Sequence, residues 1–177
     1  MNLLIVYGTT EGQTRKVADR MATDIRGRGH QVELLDSAKF TPDLKLGHFD
    51  AFIIAASVHQ EHHQEAVTTF VFAHRDLLSG KPSALISVSL SAALEGHEAA
   101  AQKYVDRFVS VTGWQPSMTL LLGGALRFTK YDYFQEQFVK FVVMKGEDPG
   151  PGQDHEFTDW NALAGFTDRF LAMIGQA

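Results

Sequence analysis

Hydroxyls and glycines crowd one short stretch near the N-terminus, Val6-Tyr7-Gly8-Thr9-Thr10-Glu11-Gly12-Gln13-Thr14. The apolar run Leu3-Leu4-Ile5-Val6 before it reads as a buried strand, and the spacing of Val17, Met21 and Ile25 after it reads as a helix. A turn between a strand and a helix aims main-chain N–H groups and the positive end of the helix dipole at one spot, which suits a phosphate. Thr9, Thr10 and Thr14 add hydroxyl donors, while no Lys or Arg lies between Tyr7 and Thr14. A phosphate here would be held by neutral donors. The missing lysine excludes a P-loop, and Gly8 and Gly12, four apart with no third glycine, exclude the dinucleotide fingerprint. The plainer alternative is an ordinary strand–helix turn with a threonine cap.

A second cluster gathers His59, His62 and His63 with Glu61 and Glu65. His59 to His63 and His62 to Glu65 have the spacings of ligands on one helix, which would suit zinc or a di-iron centre. No second cluster closes the ligand set, and no metal is expected. These are read instead as polar groups near the rim of the site and the start of the next helix. His59 or His62 is the candidate proton donor, since imidazole is easily poised near neutral pH. Exposed histidines with no role are the other reading. A third cluster, Tyr131, Tyr133, Phe134, Phe138 and Phe141, lies on an amphipathic segment running to Met144. It is either a helix packed on the domain or a face that meets membrane or an apolar substrate. Lys130, Lys140 and Lys145 accompany it, offset by Asp132, Glu136, Glu147 and Asp148.

Positioning these residues requires a regular frame. The Gly27–Gly29 region breaks the chain after the first helix. Gln31–Leu35, Ala51–Ala56, Ala84–Val88 and Thr119–Leu122 read as further strands; the run Ala51–Ala56 is apolar throughout, as in a parallel strand covered on both faces. Glu65–Leu78, with Ala66, Phe70 and Leu77 inward, Glu98–Val111, with Val105, Phe108 and Val109 inward, and Thr158–Ile174, capped by Thr158 or Asp159, read as helices. Five strands with intervening helices predict one α/β domain over residues 1–177, a doubly wound parallel sheet of order 2-1-3-4-5. Ligands bind such sheets beyond the carboxyl ends of the strands, at the switch point between strands one and three. Three strand ends meet there: Thr9–Thr14, Ala56-Ser57-Val58-His59-Gln60 and Ser87-Val88-Ser89-Leu90-Ser91. About thirty residues, Arg127 to Phe157, separate strand five from the last helix, too many for a routine loop. The aromatic segment occupies them, and Gly146–Gly152 must be irregular.

Composition narrows the class. A formal charge of −5 without a basic run argues against nucleic acid as a partner. The absence of cysteine removes disulfides, thiolate metal sites and thiol nucleophiles together. No signal peptide and no window of about 20 apolar residues is evident, so a cytoplasmic protein is expected, with peripheral contact at the inner face of the cell membrane as a further expectation.

The pattern T-x-E-G-x-T after the first strand resembles the FMN-phosphate loop of flavodoxins. Further residues resemble the flavodoxin-type, menaquinone-dependent protoporphyrinogen IX dehydrogenases. They are Gly12-Gln13-Thr14, Ala56-Ser57 with His62, Ser87-Val88 with Leu90, Trp114-Gln115-Pro116, Gly124-Ala125-Leu126-Arg127-Phe128, Tyr131 and Phe157-Thr158-Asp159-Trp160. The resemblance runs over essentially the whole chain. It implies a flavodoxin-like fold and an FMN-dependent, membrane-associated oxidoreductase of haem synthesis that passes electrons from protoporphyrinogen IX to a quinone. An electron-carrier flavodoxin with a protein partner is the alternative. Two departures concern the substrate. Where that family tends to have Ser-Ile-Arg-Tyr-Gly-His-Tyr-His, this chain has Ser57-Val58-His59-Gln60-Glu61-His62-His63-Gln64. Its loop Ser91–Gly96 also lacks a base. A tetrapyrrole bearing propionates calls for Arg or Lys. The expected phosphate cradle is Thr9, Thr10, Glu11, Gly12, Gln13 and Thr14. Ala56, Ser57, Val58 and His59 are expected on one side of the flavin ring, and Ser87, Val88, Ser89 and Leu90 on the other. Gly124, Arg127 and Lys130 are the expected substrate contacts.

Overall fold

The computed structural model describes residues 1–39, 44–126 and 154–175. In chain order they form β1 (Asn2–Gly8), α1 (Gln13–Arg26), β2 (Gln31–Asp36), β3 (Ala51–His59), β4 (His62–His63), α2 (Glu65–Ser79) and β5 (Ser83–Ser89). Then come α3 (Glu98–Thr112), β6 (Met118–Gly123), β7 (Ala125–Leu126), β8 (His155–Glu156) and α4 (Trp160–Ile174). The main path of the sheet is β2-β1-β3-β5-β6, parallel throughout. This is the order expected from the five apolar runs.

Successive side chains on a strand point to opposite faces, so an apolar strand feeds two cores. On β1, Leu3 and Ile5 join one core with Val17 and Met21 of α1 and Phe166 and Phe170 of α4. Leu4 and Val6 join the other with Phe70 of α2, Phe108 of α3 and Trp114. Each such aliphatic side chain stabilises the fold by about 1.5–3 kcal/mol through burial. The register Ile5–Leu34 on one side of β1 and Ile5–Ile53 on the other aligns the ends of the central strands, where the loops cluster.

Three expectations need correction. The third strand does not stop at Ala56; it runs to His59, turns through Gln60 and Glu61, and returns as the antiparallel β4. The histidines at 62 and 63 therefore lie on a strand, and α2 starts at Glu65 as expected, so the helical ligand spacings, set aside above for want of a second cluster, are not realised. Among the described residues no group of three His, Asp or Glu side chains is placed to hold a metal ion. On α2 the inward face is Val67, Phe70, Val71 and Leu78, with Ala66 and Leu77 half-buried at its margin. The last helix begins at Trp160, not Thr158: Asp159, one of the two expected caps, accepts the N–H groups of Asn161 and Ala162 with its carboxylate, both at 2.9 Å, and sets the start there. Arg127, Lys130, the aromatic segment to Met144 and the loop Gly146–Gly152 lie outside the described residues.

Candidate functional site

Gly8 ends β1 where a side chain has no room: a Cβ there would stand 2.4 Å from Val67 Cγ2. The chain then reverses into α1 through Gly12, whose φ of 89° suits glycine and strains other residues. The Gly12 N–H donates to Thr9 Oγ1 at 2.8 Å, and the first intrahelical bond runs from Lys16 N–H to Gly12 O at 3.1 Å. The N–H groups of Gln13, Thr14 and Arg15 thus precede the helix's own ladder and point out of its N-terminus. Thr14 is buried, and its hydroxyl has no hydrogen-bond partner among the described residues. A buried hydroxyl without a partner is costly, so this one is set for a group that the described residues do not supply.

The cavity over this loop has a volume of about 360 Å³. Thr9, Thr10, Glu11, Gln13 and Thr14 line its floor, Ser57, Val58, His59, Gln60 and Glu61 one wall, and Val88, Ser89, Leu90 and Ser91 the opposite wall. Tyr104 of α3, Gly124 and Ala125 complete it. Thus most of the expected cofactor residues converge. Gly12, Ala56 and Ser87 are not among the lining: Gly12 shapes the turn, and Ala56 and Ser87 are buried within the sheet. His62 is exposed and lies outside the cavity wall, whereas His59 forms part of it. Gln13, though at the floor, uses its carboxamide to donate to Thr158 Oγ1 at 2.8 Å, and Thr158 donates to Gly123 O at 2.8 Å.

Several residues that the strand-end pattern does not single out organise the walls. Gln64 donates to Thr10 Oγ1 and, at 3.1 Å, to Ser57 Oγ, tying the first loop to the end of β3. The Tyr104 hydroxyl pairs with Ser91 Oγ at 3.1 Å. His63 is buried, with Nε2 2.9 Å from Ser87 Oγ and its ring 4.7 Å from that of Phe108. Burial lowers its pKa to about 4, so the imidazole is neutral at physiological pH. Between them, Gln60 and Glu61 turn the hairpin with φ of 48° and 65°. These left-handed values match the tight two-residue turn that a twisted hairpin favours, at a cost on the order of 1 kcal/mol each for residues with a Cβ. Behind the floor, Lys16 pairs with Glu156 and lies 5.3 Å over the Trp160 ring, and Trp160 Nε1 donates to Glu156 at 2.8 Å. Burial alone would raise the Glu156 pKa, but hydrogen bonds from Lys16 and Trp160 outweigh it and hold the carboxyl below its ordinary value.

Among the described residues the cavity lining contains the carboxylates of Glu11 and Glu61 and no Lys or Arg. A family model described as a flavodoxin domain matches residues 4–151. The chain belongs to the flavodoxin-domain family. It is 28% identical over 168 residues to protoporphyrinogen IX dehydrogenase (quinone) of Escherichia coli K12, covering 94% of this chain and 92% of that one. The enzyme of the same name from Leishmania major is 27% identical over 176 residues, covering 96% and 74%. In backbone, the chain is similar to a WrbA-like flavodoxin of Agrobacterium tumefaciens, with a TM-score of 0.54, 14% identity and coverage of 99% and 98%. Flavodoxin 1 of Bacillus cereus gives a TM-score of 0.52 at 19% identity, covering 81% and 96%. This flavodoxin-family chain is an oxidoreductase whose cofactor is FMN. Its site suits that group: the volume is that of a small-molecule pocket, and the partnerless Thr14 hydroxyl lies where the helix N-terminus favours a phosphate.

Proposed function

We propose that this protein oxidises protoporphyrinogen IX to protoporphyrin IX and delivers the electrons to a quinone. The observation that carries the reading is the near full-length correspondence with the Escherichia coli enzyme of that name, 94% of one chain against 92% of the other. Bound FMN supplies the redox chemistry, and the protein positions it and tunes it. In this reading Thr9, Thr10 and Thr14 donate hydroxyls to the phosphate, together with the N–H groups at the start of α1. Glu11, Gly12 and Gln13 shape that loop. Ser57, Val58 and His59 flank one side of the ring, and Val88, Ser89 and Leu90 the other, with Ala56 and Ser87 supporting them from inside the sheet. Gly124, directly after β6, is the substrate contact of this reading within the described residues; Arg127 and Lys130, assigned the same role from the sequence, lie outside them. His59 carries the proton relay more readily than His62, because His59 lines the cavity. Turnover unchanged in His59→Ala would remove that role.

Complementation tests the whole reading: the gene restores haem synthesis in a bacterial strain lacking its own protoporphyrinogen oxidase, and failure of a well-expressed, FMN-loaded chain contradicts it. A second reading, an electron carrier that docks on a protein partner, draws on the net charge of −5 and on Glu11 and Glu61 at the cavity, since carriers often dock through negative faces. Such a carrier would shuttle electrons between proteins and leave protoporphyrinogen untouched. Among the described residues no helix is long and apolar enough to cross a membrane.

A further inference from the structure

A porphyrinogen carries carboxylate arms, yet the described cavity lining opposes them with Glu11 and Glu61 and offers no Lys or Arg. A cation has to stand nearby if the substrate reading holds. A second, smaller cleft of about 60 Å³ adjoins the cavity, sharing Glu61 and Tyr104 as walls. Its far side is made by His62 of β4 and by Arg107 and Val111 of α3. Arg107 is exposed and makes no salt bridge among the described residues, whereas Arg15, Arg20, Arg28 and Arg75 each have an acidic partner. The neighbouring carboxylate of Asp106 is engaged instead by Gln102 at 2.8 Å. Val111 is 55% exposed one turn further along the helix, an apolar surface beside a guanidinium.

We propose that the cleft between the β3–β4 hairpin and α3 is a carboxylate subsite, with Arg107 as its cation and Val111 as the apolar wall for the methylene stem. The acid arm of a substrate whose ring occupies the main cavity passes Tyr104 and is seated beyond Glu61, on the α3 side. Guanidinium matches a carboxylate with two parallel N–H donors, and His62 adds an imidazole at the rim. The site rests on the substrate reading above and deepens it. It also accounts for a departure in the sequence: the arginine missing from the strand-three loop is replaced from a different element.

The test is equilibrium binding of protoporphyrin IX and of its dimethyl ester to the FMN-loaded protein, for wild type, Arg107→Gln and Arg107→Lys. Wild type binds the diacid more tightly than the ester. Arg107→Gln loses roughly ten- to a hundred-fold in affinity for the diacid, as expected for a charge-assisted contact, and nothing for the ester. Arg107→Lys recovers part of the loss, and FMN affinity is equal in all three proteins. Equal diacid affinity in wild type and Arg107→Gln, or a parallel loss for diacid and ester, overturns the subsite. Wild-type turnover of protoporphyrinogen IX, measured alongside, separates the two claims. Turnover with an Arg107→Gln KM unchanged rejects the subsite alone; no turnover and no porphyrin binding by wild type reject the substrate reading and the subsite with it.

Discussion

Thr14 and His63 show opposite uses of a buried polar side chain. The Thr14 hydroxyl is buried without a partner among the described residues, so Thr14→Val removes a group that makes no hydrogen bond there. We expect apoprotein stability in Thr14→Val equal to or slightly above wild type, and FMN affinity lower by about tenfold, the loss of one hydrogen bond to a charged group. Flavin fluorescence quenching and thermal melts read the two quantities separately. His63 is fully committed, to Ser87 on one side and Phe108 on the other, and its pKa falls to about 4 from an ordinary 6.5. Between these values the unfolded chain binds a proton that the folded chain refuses, so stability falls as pH drops from 6.5 to 4. The contribution is about 3 kcal/mol at most, complete above pH 6.5 and lost by about pH 4. His63→Gln keeps a hydrogen-bonding side chain without the titration. Urea midpoints of wild type and variant at pH 7 and pH 5 should converge at the lower value; parallel declines would place the acid sensitivity elsewhere. Thr14 was legible from the strand–turn–helix pattern. His63 was not singled out from its neighbours, because its burial depends on a hairpin that no apolar period marks.

At the scale of elements, the first loop is held from behind by the segment that leads into α4. Gln13 reaches Thr158, Thr158 reaches Gly123, and Lys16, Glu156 and Trp160 form a second tie alongside. Gly123 is closely packed there: a Cβ would stand 2.4 Å from Phe157 O. The buried chain through Thr158 therefore couples the end of β6 to the start of α1. Thr158→Val leaves the Gln13 amide and the Gly123 carbonyl without their partner, and we expect a loss of about 1–3 kcal/mol, with FMN affinity falling as well. Chemical denaturation with and without saturating FMN measures both. An unchanged midpoint would show that the tie is not structural. The strands and helices were legible from apolar periodicity to within a few residues, since each apolar run faces one or both cores. The β3–β4 ribbon and the small β7–β8 pair were not. The ribbon turns on Gln60 and Glu61, which carry none of the Asn-Gly chemistry by which such a turn is recognised.

For the whole molecule, two cores on either face of one parallel sheet fix the strand ends, and the strand ends build the cavity. That arrangement explains why the doubly wound fold could be read from the order of apolar runs, whereas the family and FMN were legible through the resemblance of the hydroxyl-rich loop and the later motifs. The substrate is harder to read, because the loop Ser57–Gln64 departs from the family's pattern and the subsite proposed above joins groups of α3 and the hairpin that lie far apart in sequence. In the phosphate site proposed above, an acidic protein would hold an anionic cofactor with main-chain N–H groups at the start of α1 and hydroxyls in place of positive side chains. The most direct test of the account is anaerobic steady-state turnover of protoporphyrinogen IX by the purified, FMN-loaded chain with a menaquinone analogue as acceptor. The account predicts porphyrin formation that requires both FMN and quinone and saturates with porphyrinogen. Stoichiometric FMN with no porphyrin formed above the uncatalysed background would contradict it and leave an electron carrier in its place.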